Sequence, residues 1–202
     1  MNRFLHAALA LGVGAVAGGC AMLEPTLPDA QPAIPAQWPL PATTPSAEVA
    51  STEVKPVTAA DIGCGRGYFS IALARMVGDG GTVIAVDIQQ KMLDMMMKRA
   101  QRAGVARRIR PVLATADNIG VRGPVDFVLA FWMAHEVENT ERFFAQAFSA
   151  LKAQGTMLVA EPNMHVSRRR FREIVQAARD AGFRESGAPA VRLSRAVILE
   201  RN

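Results

Sequence analysis

The chain has 202 residues, half of them hydrophobic, with a formal net charge of +5. That length buries one substantial core and leaves no room for a second domain of ordinary size. The charge is uneven: residues 57–202 carry 21 Lys and Arg against 14 Asp and Glu, whereas residues 21–56 carry one lysine against four acids.

Residues 1–20 begin with Asn2-Arg3, continue as an apolar stretch from Phe4 to Val16 and end in Ala17-Gly-Gly-Cys20. These are the three regions of a secretory signal, and the apolar stretch is too short for an ordinary transmembrane helix. A cysteine after small residues is similar to a lipobox, so Cys20 is the candidate for acylation and membrane attachment; Ala17 stands where leucine is more usual. Residues 21–54 are rich in Pro, Ala, Ser and Thr, which favours an extended tether. The leader therefore predicts a bacterial lipoprotein whose domain, residues 55–202, is held on a stalk. The competing localisation is cytoplasmic. With Cys20 assigned to the anchor and Cys64 to the loop described next, no disulfide is implied.

The domain opens on a short apolar segment, residues 57–62, predicted as a strand, and runs into Asp61-Ile-Gly-Cys-Gly-Arg-Gly67. Gly63, Gly65 and Gly67 place no Cβ between backbone and ligand and tolerate positive φ, so this is a loop built for contact. Residues 68–77 have apolar side chains at helical spacing, and residues 82–87 form a second strand after the Gly78-Asp-Gly-Gly81 turn. A right-handed crossover sets Asp87 beside the loop, as in nucleotide-binding sheets. The dinucleotide fingerprint G-x-G-x-x-G fails, because Tyr68 occupies its last position.

A helix over 89–103, stopped by Gly104, comes next; its Met92, Met95, Met96 and Met97 read as core filling. A third strand covers 108–114 and is followed by Asp117-Asn118. A fourth covers 124–131, with Trp132-Met-Ala-His135-Glu136 just beyond it. Residues 139–151 form an amphipathic helix, 156–162 a fifth strand entered through Gly155, and 167–181 a helix capped by Ser167 and stopped by Gly182. Residues 191–199 belong to a closing hairpin.

The spacing Asp61-x-Gly-x-Gly-x-Gly67 resembles motif I of the class I S-adenosylmethionine-dependent methyltransferases, and the ordered elements extend the resemblance over residues 55–202. It implies an α/β, Rossmann-like, doubly wound and mostly parallel sheet of about seven strands with an antiparallel last strand. The implied cofactor is S-adenosyl-L-methionine. Asp61 would lie near its methionine end, approached by Gly63, Cys64, Gly65 and Gly67; Asp87, with Ile88 beside it, would bind the ribose. Asp117, with Asn118, matches the position that binds the adenine amino group, or else serves as a turn or helix cap. Relatives have a Pro-Gly-Gly turn where this chain has Ala153-Gln154-Gly155. They also carry helices ahead of motif I that close over the cofactor, and the Pro-rich stretch around Trp38-Pro-Leu-Pro41 takes that place here, so a reduced lid is expected.

For catalysis, His135 is the first candidate base, because it follows the fourth strand and imidazole titrates near neutrality; its alternative is a hydrogen-bonded histidine that caps or packs the next helix. Glu161 and His165 are weaker candidates. No metal-ligand spacing and no serine nucleophile elbow occur in the sequence. The arginines at 107, 108, 110, 168, 169, 170 and 172 read as solvated faces, and no nucleic-acid partner is expected, since no aromatic platform is interleaved with them. The expected function is methyl transfer to a small-molecule acceptor. The alternatives are a lipid-anchored, non-catalytic cofactor-binding domain and a nicotinamide-dependent oxidoreductase.

Overall fold

Strands that alternate with helices pair in parallel, because each helix carries the chain back to the edge it started from. In the computed structural model, which describes residues 56–201, the first five strands are β1 (Thr58–Ile62), β2 (Thr82–Asp87), β3 (Ile109–Leu113), β4 (Val125–Phe131) and β5 (Leu151–Pro162). The helices are α1 (Tyr68–Met76), α2 (Gln90–Arg102), α3 (Thr140–Ala150) and α4 (Arg168–Asp180). The chain closes with β6 (Arg184–Gly187) and β7 (Ser194–Glu200). The signal-like segment, Cys20, the tether and the Trp38–Pro41 stretch lie outside the described residues.

The strands form one seven-stranded sheet in the order β3-β2-β1-β4-β5-β7-β6. β7 runs antiparallel to both neighbours and the other pairings are parallel. The expected architecture is therefore the observed one. Strand order reverses between β1 and β4, and in such sheets the ligand crevice opens at that switch point, outside the carboxyl ends of the strands.

Both faces of the sheet are covered, which is why the strands read as apolar runs instead of alternating patterns. One face packs Val128, Ala130, Met157 and Val159 against Phe143 and Phe144 of α3 and Ile174 of α4. On the other, Ala59, Val83 and Ala85 meet Leu73 and Ala74 of α1 and Leu93, Met96 and Ala100 of α2. Met96 is fully buried, so the core reading of the methionine run holds for it.

Two details depart from expectation. β5 starts at Leu151, well before Thr156, and the 153–155 segment is an irregularity within the strand; Gln154 sits at φ 64° with its N–H bonded to the Arg201 carbonyl at 2.8 Å. The closing hairpin takes its first strand from Arg184–Gly187, and residues 191–193 form the connection into β7. Polar Arg184-Glu-Ser186 carries no apolar period, so it is invisible as a strand until β7 offers its edge.

A substitution at the start of α1 tests the packing. Gly67 has φ +79°, and a Cβ there would overlap Met96 Cγ. Gly67→Ala is expected to cost about 2 kcal/mol, from left-handed backbone strain and overpacking of a flexible side chain. A lower urea midpoint at unchanged m would show it.

Candidate functional site

The glycine loop is held by the strand next to it. The N–H groups of Gly63 and Cys64 both donate to the Val86 carbonyl at 2.9 Å. Asp87 continues the tie: Oδ2 accepts from the Gly65 N–H and Oδ1 from the Gln89 N–H, each at 2.9 Å. One carboxylate thus fixes the loop to the entry of α2.

The three glycines do different work. All have positive φ, at 73°, 51° and 79°. A Cβ on Gly63 would come within 2.8 Å of the Met133 side chain, and one on Gly67 would enter Met96. A Cβ on Gly65 would meet nothing within 4 Å. Gly63 and Gly67 are glycine for packing, while Gly65 borders open space next to Asp87.

Asp61 lies beneath this loop, 2% exposed, and accepts a 2.5 Å hydrogen bond from Ser70 Oγ. Burial pushes its pKa up to about 6; the Ser70 bond opposes that rise and the charge of Asp87 adds to it. Its carboxylate is a buried strut under the loop. The Cys64 thiol is also pushed up, by burial first and then by the two carboxylates, and stays protonated.

Beside Asp87 the surface turns apolar. Ile88 is 65% exposed, and so is 53% of Leu113, the register partner of Asp87 on β3. An open cradle at Gly65, an acceptor carboxylate and two exposed aliphatic side chains suit a ligand with hydroxyls and a flat apolar base. Asn118 lines a groove with Leu113, and Asp117 precedes it in the chain. The Asp117 carboxylate pairs with Arg142 of α3, and Asn118 Oδ1 accepts the Gly120 N–H at 2.8 Å, closing a turn. Both line a groove against α3 that includes neither Asp87 nor the loop. The segment alongside Asp87 is Ala114, whose N–H bonds to the Asp87 carbonyl at 2.9 Å. Thr115 and Ala116 follow it, and no sequence signal marks them.

A second group of residues lies at the end of β4. Trp132 has φ 58°, unusual for a bulky side chain, and is held by its N–H to the Ala160 carbonyl and its indole N–H to Ser194 Oγ, both at 2.8 Å. Its ring stacks on Phe131 at 5.5 Å, and Phe131 meets Phe69 of α1 at 4.4 Å between centroids. Met133 closes on Gly63, so this segment abuts the loop.

His135 lies in the short turn Ala134–Glu136. Its Nδ1 contacts Glu161 Oε2, and Glu161 Oε1 accepts the Ala134 N–H at 2.9 Å. Glu161 is 0% exposed; burial raises its pKa, and the neighbouring imidazole pulls the other way. His135 is hydrogen-bonded, and Glu161, ranked below it as a base, proves to be its partner. Nothing local in the sequence pairs these two, 26 residues apart. His165 lies exposed past the strand end. Of the arginine groups, Arg108 pairs with Asp79, and Arg169 and Arg170 with Glu173.

Residues 59–155 match the model of a methyltransferase domain family. A demethylmenaquinone methyltransferase of Lactobacillus johnsonii is 29% identical over 104 residues, covering 51% of this chain and 43% of that protein. The ubiquinone/menaquinone biosynthesis C-methyltransferase UbiE of Haemophilus ducreyi is 28% identical over 102 residues, covering 50% and 39%. The match thus spans about two fifths of these relatives. Among solved structures, a SAM-dependent methyltransferase from Aquifex aeolicus superposes with TM-score 0.65 at 19% identity, over 73% of this chain and 83% of that one. The [4+2]-cyclase SpnF superposes at 0.60 with 14% identity, over 72% and 75%.

Proposed function

We propose that the chain is a class I S-adenosylmethionine-dependent methyltransferase, a reading supported by the match of residues 59–155 to a methyltransferase domain family, and that it methylates a small-molecule acceptor by in-line displacement. The observation that carries the proposal is the open space at Gly65, bounded by Asp87 and abutted through Gly63 by the Met133–His135 segment. Fold alone would not suffice, since the SpnF cyclase has the same one.

When bound, S-adenosylmethionine supplies an electrophilic methyl carbon on a cationic sulfonium. The chain's own contribution is binding and alignment. Asp87 offers its remaining lone pairs to ribose hydroxyls while it keeps the loop in place. Ile88 and Leu113 present apolar surface to a base. Asp61 and Asp87 place negative charge around the loop, which favours a cation there over a neutral thioether. The residues after β4 form the acceptor side.

Calorimetry with S-adenosylmethionine and its demethylated product tests the reading. Binding is expected to weaken about 10- to 100-fold in Asp87→Ala, the range for losing hydrogen bonds to a charged group. Absence of binding by either compound to the unaltered chain would sink the proposal. Binding without product across an acceptor panel would favour a non-catalytic domain.

A further inference from the structure

Glu161 is the most costly residue at this end of the sheet: a fully buried carboxylate where its neighbours on β5 are aliphatic. Both of its oxygens are directed at one turn, Oε1 to the Ala134 N–H and Oε2 to His135 Nδ1. A histidine that merely packs needs no buried acid, because a backbone carbonyl would serve. An ionised carboxylate only accepts, so it selects the tautomer with hydrogen on Nδ1 and leaves a lone pair on Nε2. Glu136 at 3.9 Å is the only other charged group recorded against the ring among the described residues, and it is too far to engage Nε2 in a hydrogen bond. The side chain is 22% exposed and lies past the end of β4, three residues from Trp132, with Nδ1 turned to the buried Glu161.

We propose that His135 Nε2 is the general base for a phenol-type hydroxyl acceptor, with Glu161 as its positioning residue. This rests on the methyl-transfer reading and names its acceptor. A neutral amine needs no base, and a thiol ionises with little help. An aliphatic alcohol is too weak an acid for imidazole, whereas a phenol lies within its reach. The half-buried rings of Phe69, Phe131 and Trp132 supply a wall suited to a flat aromatic body. In the step, the hydroxyl proton passes to Nε2, and the O–H pair becomes the attacking lone pair on oxygen. Oxygen bonds the methyl carbon, and the C–S pair stays with the departing sulfur. The imidazolium, stabilised by Glu161, returns its proton to water after product leaves.

The test uses the full chain with S-adenosylmethionine and a panel of 4-nitrophenol, 4-methylphenol, 4-methylaniline and 4-methylthiophenol, with products identified by mass. Methyl ethers of the phenols are expected. His135→Gln should lower kcat by about 100-fold or more. Glu161→Gln should lower kcat by about tenfold or more at near-constant KM, the cost of a mis-set tautomer. Cofactor affinity should change less than twofold in both. Nitrogen-15 spectra of labelled histidine should show His135 with hydrogen on Nδ1 in the unaltered protein, and a mixture in Glu161→Gln. Hydrogen on Nε2, methylation of the amine or thiol alone, or no methylated phenol while cofactor still binds would each overturn the proposal. A chain that binds no cofactor overturns the methyl-transfer reading itself, so the two failures are told apart. If Glu161→Gln does not fold, the tautomer of the unaltered protein and the panel still decide.

Discussion

Gly65→Val is expected to lower S-adenosylmethionine affinity by at least about 100-fold, equivalent to some 2.7 kcal/mol, while the protein stays folded. The prediction turns on which side of the loop the new atoms meet. Nothing lies within 4 Å of a Cβ at Gly65, so the side chain starts into open space, where the ligand is proposed to lie. At φ +51° an L-residue also carries left-handed strain of about 1–2 kcal/mol. That strain should lower the thermal midpoint by roughly 5 °C for a domain of this size. Relaxing it would pull the Gly65 N–H off Asp87. Gly67→Ala should behave in the opposite way, losing stability to the Met96 overlap while its cofactor affinity falls far less. Calorimetry and melts on both variants read the contrast. An undiminished affinity in Gly65→Val would mean that the cofactor does not lie against this loop.

Asp61→Asn is expected to be more stable than the unaltered protein above pH 6, by up to about 3 kcal/mol, the equivalent of a shift of roughly two pKa units. Burial raises the carboxyl from 3.8 to about 6. A raised folded-state pKa means that folding favours the protonated form. Its contribution is therefore fully present below the unfolded value near 3.8 and is lost as pH rises through about 6. The asparagine oxygen can still accept from Ser70 Oγ, so the variant keeps the strut and loses the buried charge. Urea unfolding at pH 4, 6 and 8 should give curves that coincide at the acid end and diverge toward pH 8. Equal stability at pH 8 would show that the carboxylate is better solvated than its burial implies. Retaining a carboxylate at such a cost is consistent with a role toward a cation, and cofactor affinity in Asp61→Asn should fall about tenfold, as for removing one charge at close range. Stability and affinity would then move in opposite directions, as expected where a site holds strain for function.

Much of this was legible beforehand. Apart from the early start of β5, the strands and helices from β1 to α4 fall within a few residues of their expected places, because runs such as Thr82–Asp87 and Val125–Phe131 are apolar, short and punctuated by glycine. Asp87 beside the loop follows from the right-handed crossover alone. Other features depended on contacts that no local pattern encodes. Asp117 had the expected sequence position, but Arg142, from a helix 25 residues further on, holds its carboxylate. Gly63 and Gly67 looked like Gly65 until Met133 and Met96 were seen to fill the space beside them.

The sequence by itself determined the fold class, the position of the glycine loop and the acidic strand end that ties it, since these rest on backbone conformation and on side chains close along the chain. The tertiary structure alone decided that Asp61 is a buried strut, that Gly65 is the glycine facing open space, and that Glu161 on β5 holds His135 at the end of β4. Each of those assignments depends on which atoms from distant elements share a small volume. Periodicity along one strand fixes the face a side chain takes and leaves open the partner it meets there.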